Sequence, residues 1–145
     1  MLRSERIELA KQIVAVFADW RLTKTEQLLA LGLRPRSIAT LRAYAAGGPI
    51  GNKIDRIDRV QRLIDIHRLL HKFCFDQKKA DQWMTEVNVG LGGKRPIDKS
   101  SSLIWIIFIH DKLLKIEEIK NDRERYFNKD TINANAQHLI ALSVR

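Results

Sequence analysis

Every glycine and proline in this chain falls in one of three short breaks, at residues 32–35, 47–51 and 90–96. Glycine and proline are the strongest local punctuators of regular structure. Between the breaks the apolar residues recur at three- and four-residue spacing, the period of an amphipathic helix. A chain punctuated in this way is restricted to helices that start and stop at those breaks, and the fold class it predicts is all-α.

The first segment, residues 4–20, places Ile7, Ala10, Ile13, Val14 and Phe17 at helical spacing, with Ser4 as its N-cap and Glu5 and Glu8 in the first turn. The second, residues 23–31, opens on Thr23 with Glu26 three positions on, a capping-box pattern. Gly32 stands where that helix stops, and Pro35 suits the first turn of a third helix over 35–46. The fourth segment, residues 53–75, is the longest. It sets Ile54, Ile57, Val60, Ile64, Leu70 and Cys74 near one face and Arg56, Arg59, Arg62 and Arg68 on much of the rest. A short fifth helix is expected over 78–84, and residues 88–96 read as a loop. Residues 103–109, LIWIIFI, form a continuous apolar run that periodicity alone assigns neither to strand nor to helix. With the remainder helical, a strand there would find few partners, so a buried helix is expected. A charged helix is expected over 112–126, and residues 128–145 read as a short helix or a loose tail.

The chain has 145 residues and a net charge of +9. That length suits one domain or two very small ones. With 45% hydrophobic and 30% charged residues, it reads as globular rather than disordered. The single cysteine excludes a disulfide framework and fits a reducing cytoplasm, the expected location. The 103–109 run is too short for a membrane span, and the opening MLRSERIELAKQ lacks the apolar core of a signal peptide. Residues 1–72 hold 14 Lys and Arg against 7 Asp and Glu, whereas residues 73–145 hold 12 against 10. The N-terminal half therefore carries most of the electrostatic footprint of a polyanion binder.

Residues 24–41 have the layout of a helix-turn-helix: a short helix, a glycine in the turn, and a second helix packed across the first through Leu31, Leu33, Ile38 and Leu41. In such a motif the second helix enters the major groove by its N-terminal end. Here that end presents Arg34, Arg36, Ser37 and Thr40, residue types that bond base edges. Lys24, Thr25 and Arg42 would contact phosphates. Leu28 departs from the pattern, since a small residue usually stands at that point.

Other chemistry finds little support. His67, His71 and Cys74 lie at i, i+4 and i+7 on one helix face, a spacing able to hold zinc. No further ligand lies near them in sequence, so Cys74 is read as core, the histidines as its edge, and no metal is expected. Residues 88–95 miss the phosphate-loop pattern, with Asn88 where its first glycine and Arg95 where its Ser or Thr should be. No nucleophile, paired-carboxylate or cofactor arrangement emerges, so the chain is read as a non-enzyme without cofactor.

The order Trp83-Met84, Asn88, Leu91-Gly92-Gly93, Pro96-Ile97-Asp98 resembles the toxin-binding signature of Xre/MbcA/ParS antitoxins. The upstream stretch, with Trp20, Leu22 and residues 29–32, resembles the Xre-like helix-turn-helix half of the same proteins. The resemblance spans roughly residues 7–98. It implies a type II antitoxin with an Xre-like DNA-binding region over 1–50 and a connecting helix and small helical toxin-binding domain over 51–145. Its partners would be operator DNA, a second copy of the chain in a homodimer, and a cognate protein toxin, most often a RES-domain toxin that consumes NAD. Carried across residue by residue, the toxin-binding positions are Trp83, Asn88, Leu91, Gly92, Gly93, Lys94, Arg95 and Pro96. Downstream the chain departs from the family, with Lys99, three serines and the LIWIIFI run where an acidic, glycine-containing stretch is usual. Two other readings remain open, a stand-alone helix-turn-helix transcriptional regulator and a basic helical adaptor that binds protein only.

Overall fold

The structure, a computed structural model, describes residues 1–124. These form six α-helices: α1 (Arg3–Asp19), α2 (Lys24–Ala30), α3 (Ile38–Ala45), α4 (Ile54–Phe73), α5 (Gln77–Gln82) and α6 (Leu103–Arg123). Three single 3-10 turns lie between α5 and α6, at Trp83–Thr85, Val89–Leu91 and Pro96–Lys99. No strand forms among the described residues, so the fold is all-α. No helix among them is long and apolar enough to cross a membrane. The expectations for residues 125–145 lie outside the described residues.

The amphipathic stripes explain the packing. α4 is the central helix and packs against α1, α5 and α6. It buries Val60, Leu63, Ile66, Leu69, Leu70 and Phe73, while α6 buries Ile106, Ile109, Leu113 and Ile116. Each such side chain contributes on the order of 1.5–3 kcal/mol when removed from water. α1 adds Ala10, Ile13, Val16 and Phe17, and with Trp20, Leu31 and Ile50 these residues join one continuous core that runs from the N-terminal helices into α6. The 103–109 run thus belongs to a helix, one that continues without a break into the charged segment that follows. Its length comes from the stripe at 106, 109, 113 and 116, which keeps the helical period through both segments.

Several local expectations need correction. Ser4 does not cap α1, which begins one residue earlier; the Leu2 backbone N–H donates instead to Glu5 Oε2 at 2.8 Å. α3 begins at Ile38 rather than at Pro35. The Ser37 N–H donates to the Arg34 carbonyl at 3.0 Å, so Pro35 occupies the second position of a four-residue turn. The fixed φ of proline suits that position as well as it suits a helix start. Ile54, assigned to the apolar face of α4, is 84% exposed at the first residue of the helix.

The largest departure is Arg59, which falls in the core and not among the solvated arginines. Its Nη1 donates to the Ala30 carbonyl at 3.0 Å and to the Ser100 carbonyl at 2.6 Å, and its Nη2 donates to the Ser101 carbonyl at 3.0 Å. Ala30 is the last residue of α2, whose free carbonyls and negative dipole end favour a cation. Burial, reinforced by the charge of Arg56 and opposed by Asp55, pushes the guanidinium pKa down from its usual value. Gly32 sits over the same group. Its φ of +64° is one that side chains resist, and an added Cβ would lie 2.9 Å from Arg59 Cζ.

The seam between α4 and α6 is edged by ion pairs. Arg68 and Lys72 reach Glu117 at 2.9 and 3.0 Å, and His110 Nε2–H donates to Asp65 Oδ2 at 2.6 Å. His110 Nδ1 accepts from Arg62 Nη1 at 3.2 Å, which fixes that tautomer. The Arg68 guanidinium holds Glu117 below the usual carboxylate range against the opposing effect of burial, with Lys72 adding to it. Burial would raise Asp65, but bonds from Arg68 and His110 outweigh it and hold that group low too.

Two outcomes are expected. Arg59→Leu leaves three inward-facing carbonyls without a donor and should cost on the order of 3 kcal/mol in urea unfolding, with Arg59→Lys between it and the parent. In acid, depressed carboxylates stabilise the fold fully above their ordinary values of 4.5 (Glu117) and 3.8 (Asp65), and this is lost as pH falls through the lower folded values. Thermal melts should therefore hold steady down to about pH 5 and decline below it, and Glu117→Gln should flatten part of the decline.

Candidate functional site

The residues expected at DNA lie along α2, the turn after it, and α3. α2 starts as its sequence requires: the Glu26 N–H donates to Thr23 Oγ1 at 3.1 Å and the Thr23 N–H donates to Glu26 Oε1 at 2.9 Å. Lys24 and Thr25 are exposed in the first turn of this helix. Arg34 and Arg36 are exposed in the turn before α3, not on the helix itself, while Ser37 and Thr40 are half-buried around its start. Arg42 is exposed further along α3. None of Lys24, Arg34, Arg36 and Arg42 forms an ion pair with a described residue. Residues 31–37 separate α2 from α3, more than the about three or four of a tight helix-turn-helix.

A neighbouring groove adds two basic residues that the sequence reading passed over. Thr40, Tyr44, Asn52, Lys53 and Arg56 line a surface cavity of about 590 Å³. Arg56 Nη1 is shielded from solvent there without a hydrogen-bond partner among the described residues. Arg56 stood in the sequence only as one of four arginines along a helix, and nothing in its spacing set it apart.

The residues carried over for toxin binding gather on the segment between α5 and α6. Asn88 organises the loop. Its Oδ1 accepts from the Gly90 N–H at 2.8 Å, its carbonyl accepts from Leu91 and Gly93, and its N–H donates to the Lys94 carbonyl at 3.0 Å. Gly92 and Gly93 take φ values of +70° and +77°, and a Cβ on either would meet nothing within 4 Å. The loop therefore asks for glycine because of its backbone angles and not because of crowding. Leu91 and Pro96 are buried anchors, and Trp83 is half-buried against the core. Gly92, Gly93 and Lys94 are exposed. So are Val87 and Val89, at 66% and 83%, apolar tip residues that the motif comparison did not single out.

Arg95 is engaged within the chain. It reaches Asp98 at 2.7 Å and Glu26 of α2 at 2.9 Å. The bond from Arg95 holds Asp98 below the usual carboxylate range, and Asp98 in turn raises Arg95. Beyond Pro96, Trp105 Nε1 donates to the Pro96 carbonyl at 3.1 Å and the Trp105 ring stacks on Phe108 with centroids 5.5 Å apart. These rings, with Lys99 and an Ile104 that is 79% exposed, line a largely apolar surface groove of about 580 Å³ beside the glycine loop.

His67 and His71 lie half-buried on α4. The fold brings Asp19, at the end of α1, and Asp81, on α5, to them, and one ligand atom from each of the four lies within 4.8 Å of the others. Cys74 stays apart from that group. It packs half-buried against the core, and burial, then Asp76, push its thiol pKa up. The two aspartates are far from the histidines in sequence, or ten and more residues away, so spacing gave no sign of them.

No known protein family, curated protein or solved structure matches this chain.

Proposed function

We propose that the chain is an antitoxin of the Xre/MbcA/ParS kind, which binds operator DNA through α2, the following turn and α3, and covers the active site of a cognate toxin with the segment that follows α5. The observation that carries this reading is the coexistence, on one core, of two differently built surfaces. One is a set of exposed cations without ion-pair partners among the described residues. The other is a glycine loop held in shape by Asn88, with apolar residues exposed at its tip. Free cations suit phosphates, whose neutralisation releases counterions and dominates affinity. A shaped loop beside an apolar groove suits a folded protein partner. Neutralisation by coverage requires no chemistry from the antitoxin, and a RES-domain toxin is the partner that the resemblance favours. Homodimerisation would set two α3 helices at half-sites about one DNA turn apart.

One observation favours a second reading. The long 31–37 turn leaves Arg34 and Arg36 outside α3, which suits a basic adaptor that binds protein only.

Co-expression decides between them. The neighbouring gene alone should arrest growth, and this chain should restore it and co-purify with the product; a harmless neighbour would leave the stand-alone regulator. Gly92→Asp should abolish rescue while the chain stays folded in a thermal melt: its Cβ enters open space, and the φ of +70° should cost about 1 kcal/mol of backbone strain. Arg36→Ala should weaken binding to the DNA upstream of the gene by about 1–3 kcal/mol at fixed salt. Unchanged affinity in Arg36→Ala would remove that residue from DNA recognition, and no binding by the parent chain would favour the adaptor.

A further inference from the structure

We propose that Asp19, His67, His71 and Asp81 form a binding site for one zinc ion that ties α1, α4 and α5 together. His67 and His71 are four residues apart on α4 and so project from the same face. Their ring centroids are 4.3 Å apart. His67 Nε2 lies 2.9 Å from Asp19 Oδ2 and 3.7 Å from Asp81 Oδ1, and His71 Nε2 lies 2.5 Å from Asp81 Oδ1. Zinc bonds of about 2.0–2.1 Å in a tetrahedron need donor atoms roughly 3.3–3.5 Å apart. The observed separations bracket that edge, so modest side-chain rotations complete the set.

The orientation of His71 is a second observation, independent of the clustering. Its Nδ1–H donates to Gln77 Oε1, and the Gln77 amide is itself oriented by a bond from Nε2 to the His71 carbonyl at 3.4 Å. A histidine that binds metal characteristically donates its other ring nitrogen to such an acceptor. With Nδ1 committed to that bond, Nε2 is the ring nitrogen left to take a metal, and it faces the Asp81 carboxylate that would share the ion. Two imidazoles and two carboxylates also balance the charge of a divalent ion. The nitrogen donors select zinc over calcium or magnesium, which prefer all-oxygen sets. Asp81 sits on the helix that leads directly into Trp83 and the glycine loop, so the ion would fasten that segment to α1 and α4.

The test uses the untagged full chain, stripped of metal with a chelator. Calorimetric titration with Zn²⁺ should give one ion per chain and a raised melting temperature. Co²⁺ should give the intense visible bands of a tetrahedral site, without a thiolate charge-transfer band, and Zn²⁺ should erase them. Mg²⁺ should change neither signal. His71→Gln and Asp81→Asn should each weaken Zn²⁺ at least about 100-fold, and Gln77→Ala about tenfold, while His110→Gln leaves it unchanged. Melts of the metal-free variants check that they fold, and Asp19→Asn, at an exposed side chain, serves should either first variant unfold. Absence of Zn²⁺ binding at micromolar concentration, or affinity unaltered in a folded His71→Gln or Asp19→Asn, overturns the site.

Discussion

A buried guanidinium holds this fold in register. Arg59 leaves water to satisfy carbonyls from two distant parts of the chain, the end of α2 and the residues just before α6. A charge in the interior is costly unless its donors are used. Its three bonds fix where α2 stops and where α6 begins. Ser100, itself fully buried, donates through Oγ to the Ile97 carbonyl at 2.7 Å and keeps the second anchor in place. Gly32 leaves the space that the guanidinium fills. The candidate DNA surface and the glycine loop therefore share one fixed point.

The parts of the fold that were legible in the sequence are those governed by local rules. The Thr23 and Glu26 capping box, the stop at Gly32 and the loop at residues 88–96 need only neighbouring residues, and each forms as its chemistry requires. The helical outcome for residues 103–109 was legible only through context, because an apolar run satisfies a strand as well as a helix. Arg59 was not legible. Arginines at 56, 59, 62 and 68 read as covering much of the helix outside its apolar face, and nothing in their spacing marks the one member that turns inward. Only the carbonyls of Ala30, Ser100 and Ser101 make that position tolerable, and they come from far along the chain.

The same limit applies to the surfaces. The basic residues of α2 and α3 and the glycine motif are contiguous enough to be named from sequence, though burial sorts them into anchors such as Leu91 and Pro96 and exposed tips such as Lys94. Val89 and Ile104 become visible as surface only once their helices and turns are placed. Likewise His67 and His71 advertise a shared face, while Asp19 arrives through the packing of α1 on α4 and Asp81 through that of α5.

Glu26 carries two duties at once. One carboxylate oxygen closes the cap of α2, and the other meets Arg95 at the root of the glycine loop. The first turn of α2 and the root of the loop are thus strung on a single side chain. A molecule that grips the loop and draws Arg95 aside changes the load on that cap, and a strain placed on α2 returns along the same path. The first turn of α2 and the loop are coupled through the three atoms of one carboxylate.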